Sequence, residues 1–148
     1  MSASRRLTVS LKRKPAMTAT RVSIGRSKLV YALVADKRLQ YENGKSRIAY
    51  IGTTKNGRWR IASSVASRSQ EILQLRGVTS FDARIITCKS GQKVETWKVL
   101  ERALLLEFRE QFGEVPWCNI HGKGIRERDE FNKYFRRARI RDIIQDLS

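Results

Sequence analysis

The chain reads as an α/β protein, strictly α+β, in which a small three-stranded, mainly antiparallel sheet is flanked by helices. Short runs rich in β-branched and aromatic residues at 28–35 (KLVYALVA), 47–53 and 81–88 (FDARIITC) have the composition of strands. Across 94–112, Trp97, Leu100, Leu104, Phe108 and Phe112 recur at spacings of three and four, the period of one helical face. The order is strand, strand, helix, strand, helix, helix, so the first two strands pair as a hairpin and the third lies beside them.

The elements follow in order. Residues 1–21 hold six basic residues and no acidic one. Leu7, Val9 and Leu11 alternate as in an edge strand, but Pro15 and the Ser/Thr content favour a basic N-terminal arm. After the first strand, residues 36–47 carry an Asn43-Gly44 turn signal and read as a hairpin-type connection. Asn56-Gly57 punctuates the chain before a helix expected from about residue 60 to 75, closed by Gly77. Ser90-Gly91 turns the chain after the third strand, and Gly113 and Pro116 end the 94–112 helix. A loop over 117–124 leads to a charged helix expected from about 125 to 147, with a broken apolar stripe of Phe131, Phe135, Ala138, Ile140, Ile144 and Leu147. The organisation is thus an arm (1–21), one domain (22–124) and a basic C-terminal helix (125–148) that packs on or extends that domain.

Charge narrows the partner. In 148 residues there are 31 Lys and Arg against 14 Asp and Glu, a net charge of +17. Such an excess points to nucleic acid or an anionic membrane surface. No apolar run is long enough for a membrane span and no lipidation signal is visible, so nucleic acid is favoured. Cys88 and Cys118, with His121 as the lone His, fall short of a four-ligand zinc site and read as buried free thiols. The basic N-terminus has no apolar h-region and is not a secretory signal, which gives a cytoplasmic expectation, nucleoid-associated in a bacterium.

Glu101 is the anomaly. On a helix it stands beside Trp97, Leu104 and Leu105, within or next to the apolar face. A carboxylate there costs several kcal/mol unless a cation or hydrogen bonds compensate it. One reading is a structural ion pair; the other is a Mg²⁺ ligand, since that hydrated cation takes one or two carboxylates and fills its shell with water and phosphate. Tyr31 and Tyr50 read singly as half-buried sheet residues, Arg60 as a solvated helix residue and Asn119 as a turn residue. Lys55, Arg58, Trp59 and Arg60 interleave charge with a stacking surface where a strand runs into a helix N-terminus, a common place for phosphate.

Together, Tyr31, Tyr50-Ile51-Gly52, Arg60, Glu101 and Asn119 resemble the GIY-YIG nuclease family over about residues 28–124. The second half of the signature stands intact as Tyr50-Ile51-Gly52, and Arg60 follows ten residues after Tyr50 where the family has its catalytic Arg. Glu101 matches the metal-binding Glu of the long helix, and Asn119 matches the late Asn. There are departures. The first half reads Leu29-Val30-Tyr31, so only its Tyr survives. The two tyrosines lie nineteen residues apart, longer than usual, which makes 36–47 look like an inserted hairpin. Ser64 stands where many members carry His or Tyr four positions after the Arg.

The resemblance implies a Mg²⁺-dependent DNA endonuclease of stand-alone, restriction- or repair-like type, with Mn²⁺ able to substitute. Catalytic residues would be Tyr31, Tyr50, Arg60, Glu101 and Asn119, with Glu101 on the metal. Lys55, Arg58, Trp59, Lys123 and Arg126 would contact double-stranded or structured DNA, the protein acting as a monomer or homodimer without a membrane. The alternatives are a non-catalytic basic module that binds structured RNA or DNA, which leaves Glu101 and the Tyr/Arg spacing unexplained, and a basic structural partner in a larger assembly, which predicts no hydrolysis and no divalent-ion dependence.

Overall fold

The computed structural model describes residues 6–16, 28–56, 58–88, 95–119 and 134–148. Strands β1 (Leu29–Tyr41), β2 (Gly44–Thr54) and β3 (Phe81–Ile86) form one antiparallel sheet in the order β2-β1-β3. Helices α1 (Arg58–Leu73), α2 (Thr96–Phe112) and α3 (Arg137–Leu147) complete an α+β fold with the element order expected from the sequence.

β1 is the central strand, and that position accounts for its composition. Leu29 through Leu33 are all buried, because neighbours flank the strand and helices cover it, so apolar residues run on without alternation. The 36–47 segment is not a separate inserted hairpin. β1 and β2 are one long hairpin closed by a two-residue turn at Glu42-Asn43, with Tyr41 paired to Gly44. Register shifts between Leu33 and Leu39 let the exposed Asp36, Lys37 and Arg38 bulge from the β1–β2 ladder. Asp36 is put to use there: its carboxylate accepts the Thr79 N–H and hydroxyl, fixing the approach to β3, and the Thr79 hydroxyl is the main reason its pKa is lowered.

α2 closes on Gly113, which adopts φ 82° and donates its N–H to the Arg109 carbonyl. At the far end of the hairpin, Tyr41, Phe108 and Phe112 form an aromatic cluster with centroid separations of 4.7–6.0 Å. α3 lies against α2 through buried Ile140 and Ile144, while Arg137 and Arg141 pair with the 6% exposed Glu107 and Arg137 also meets Glu110. The last helix begins at Arg137 rather than near 125: Tyr134 to Arg136 are non-helical, and 125–133 lie outside the described residues. The described part of the N-terminal segment forms no strand, and Leu7, Val9 and Leu11 are 89–95% exposed. Among the described residues no helix is long and apolar enough to cross a membrane.

Candidate functional site

The hairpin register brings the two tyrosines together. Tyr31 pairs with Gly52 and Leu33 with Tyr50, and residues paired across a sheet project to the same side. The tyrosine rings meet over Gly52 with centroids 5.8 Å apart at 43°. A Cβ at position 52 would fall 2.6 Å from Tyr50 Cε1 and 3.0 Å from Tyr31 Cζ. Glycine is therefore favoured here for space and not for conformation, since its backbone is not in the left-handed region.

α1 is laid against the same tyrosines. Arg60, Ser64 and Arg68, each four apart, lie along one stripe of the helix. The Tyr31 hydroxyl donates to Ser64 Oγ at 2.7 Å, so the residue four positions after Arg60 meets a tyrosine. Burial pushes the Tyr31 phenol up to about 12, with the Tyr50 phenol adding to the rise, against the lowering pull of the Ser64 hydrogen bond and the Arg60 charge. At neutral pH Tyr31 is an uncharged donor.

Arg68 was not legible as a site residue. Its guanidinium sits 4.4 Å over the half-buried Tyr50 ring, donates to the Cys118 carbonyl at 2.9 Å, and lies 3.5 Å from Glu71. Its position eight residues beyond Arg60, on the same stripe, is the signal that could have found it.

Asn119 is brought to Ile51, inside the Tyr50-Ile51-Gly52 signature, and its amide is spent on backbone. Oδ1 accepts the Ile51 N–H at 3.0 Å and Nδ2 donates to the Ile51 carbonyl at 2.8 Å. The Cys118 N–H adds a bond to the Ala49 carbonyl at 2.9 Å. Residues 118–119 thus behave as a surrogate strand on the outer edge of β2. Cys118 is a free thiol, 5% exposed, pushed up to about 11 by burial, with Glu71 raising it further and Arg68 opposing; Cys88 is half-buried rather than buried.

Glu101 lies on α2, 6% exposed, on a helix that rests against β1 and β2. Near its N-terminus cations gather: Lys28 Nζ stacks 4.8 Å over Trp97, and Glu95 is held below the usual carboxylate range first by its hydrogen bond from Lys98, then by Lys55 and Lys28. Among the described residues no group of three or more His, Cys, Asp or Glu is clustered for a metal, so Glu101 would serve as a single carboxylate ligand.

Of the basic and aromatic candidates, three have a described exposure. Lys55 and Arg60 are exposed and Trp59 is 74% exposed. Arg58 opens α1, whose first turn carries no acidic residue to offset the positive helix end. His121, Lys123 and Arg126 lie outside the described residues. Comparison with protein families, with characterised proteins and with solved structures gives no match to this chain.

Proposed function

We propose that the protein is a divalent-metal-dependent DNA endonuclease that hydrolyses phosphodiester bonds at the Tyr31/Tyr50 face. The observation that carries this reading is the meeting of two tyrosines over a space-limited glycine, with the Arg60 helix laid against them.

The two tyrosines divide the work. Tyr31, buried and uncharged at neutral pH, donates to Ser64 and sets the position of its neighbour. Tyr50, half-buried with Arg68 over its ring, orients the attacking water. Arg60 neutralises charge that develops on the non-bridging phosphate oxygens. Lys55 and the uncompensated start of α1 hold the flanking phosphate. Asn119 acts as a positioning residue, since its amide fixes the Tyr50 strand. Glu101, a buried carboxylate, would be the protein ligand for Mg²⁺, a cation that typically takes one or two carboxylates and keeps much of its water. When bound, that ion supplies Lewis-acid stabilisation of the phosphate and the leaving oxygen.

The test uses plasmid and oligonucleotide DNA with Mg²⁺ or Mn²⁺. Wild-type protein cleaves, while Glu101→Gln and Glu101→Ala, checked for native melting, bind DNA as before and do not cleave. Cleavage by either variant at near wild-type rate removes Glu101 from the metal. Binding without cleavage by the wild-type chain under every metal condition would leave a non-catalytic nucleic-acid-binding module as the reading.

A further inference from the structure

We propose that the segment Leu7–Leu11 of one copy of this chain pairs with the outer edge of β3 in a second copy, forming a reciprocal two-fold dimer. The two edges of the sheet are not alike. β2 is covered: Cys118 and Asn119 bond to Ala49 and Ile51, and the Arg47 N–H donates to the Ser148 carbonyl. β3 pairs with β1 on one side, and among the described residues no backbone bond is made on its other side. Its middle residues Ala83 and Arg84 are exposed. An edge of six residues left open among the described residues is a template for another strand.

Beside that edge runs a groove of about 840 Å³, lined on its apolar side by Ile86, Leu100, Phe135, Ile143 and Leu147. An unpaired edge next to a groove is the arrangement used in strand addition: the backbone gives affinity and the groove takes alternate side chains. The occupant is in the same chain. Leu7, Val9 and Leu11 alternate with Thr8 and Ser10, the period of a strand with one apolar face, and they stand 89%, 93% and 95% exposed. No other large hydrophobic side chain among the described residues is as exposed. Length and charge fit as well. Five residues match the six of β3, and the segment is neutral where Arg84 and Arg139 would repel cations. Asp82 on the strand and Asp146 in the groove offer carboxylates to Arg6 and Lys12, which flank the segment.

Two arms and two edges satisfy one another, so the assembly closes at two copies. The pairing does not depend on the cleavage reading; only its use, two Tyr31/Tyr50 sites for the two strands of a duplex, does.

Sedimentation of the full chain, without DNA and in enough salt to screen its +17 charge, should give twice the chain mass. Val9→Asp should return it to one copy with an unchanged melt at low concentration. In a Cys88→Ser background, oxidation of the Thr8→Cys/Arg84→Cys double variant should yield a covalent band of two chains on a non-reducing gel, and neither single substitution in that background should do so. A wild-type monomer at all concentrations, or a cross-link confined within one chain, would overturn the proposal. So would a dimer that survives Val9→Asp.

Discussion

Adding one methyl group at position 52 displaces Tyr50 before it disturbs the strand, because the nearest atoms, 2.6 and 2.9 Å away, are the outer ring carbon and hydroxyl of a half-buried side chain. Gly52→Ala should therefore cost at most about 2 kcal/mol, the scale of a mild overpacking. DNA cleavage should fall at least ~10-fold; a thermal melt beside single-turnover rates separates the two effects. A loss of activity explained wholly by unfolding would place the requirement for glycine in the fold. Tyr31 gives a pH signature of opposite kind. Its folded pKa, about 12, lies above the value of an exposed phenol near 10. The unfolded chain therefore releases the proton first, and stability present below pH 10 is lost as pH rises toward 12. For this buried group the loss is on the order of 2–3 kcal/mol. Urea midpoints measured from pH 8 to 12 should drop steeply in the wild type and less steeply in Tyr31→Phe. Tyr41, raised by burial as well, keeps some slope in the variant.

The hairpin shows what sequence pattern resolves at the scale of elements and what it does not. Its apolar halves and its turn region are visible, because local composition and turn chemistry act over a few residues. The continuity of β1 to Tyr41 is not visible, since Asp36, Lys37 and Arg38 break the alternation and only their bulge and the Thr79 partnership explain them. The start of α3 at Arg137 is hidden for a related reason: charged helix-formers on both sides of residue 134 carry no stop signal. In the site, Tyr50, Gly52 and Arg60 are marked by short spacing, while Arg68 and the role of Asn119 arise from contacts across 50 and 68 residues of chain. Asn119→Ala tests that contact. It leaves both backbone groups of buried Ile51 without their partner, which should cost about 2–4 kcal/mol in urea unfolding. A change under 0.5 kcal/mol would mean that water replaces the amide at no cost.

For the whole molecule, a charge of +17 makes the proposed DNA affinity a function of salt. Each phosphate contact contributes about 0.9 to the log–log salt slope. Removing residues 1–20 takes away five cations from a segment whose described part is exposed and forms no strand. Titrations by fluorescence anisotropy should show a slope smaller by several, and the truncated chain, compared at concentrations too low for dimers, should melt as before. A fall of several kcal/mol in stability with the slope unchanged would make the arm an element of the fold. The clasp of Asn119 on Ile51 also has a bearing on time. Hairpin contacts join neighbours such as Tyr41 and Gly44, whereas the clasp must close a loop of 68 residues and so forms late in folding. Asn119→Ala should then speed unfolding and leave the folding rate nearly unchanged in a stopped-flow chevron. In a chain growing from its N-terminus, both tyrosines, Arg60 and Glu101 have been made before residue 119 exists. A nascent chain that has not reached residue 119 would therefore carry every reactive group of the proposed nuclease while the strand that aims them is still unlatched.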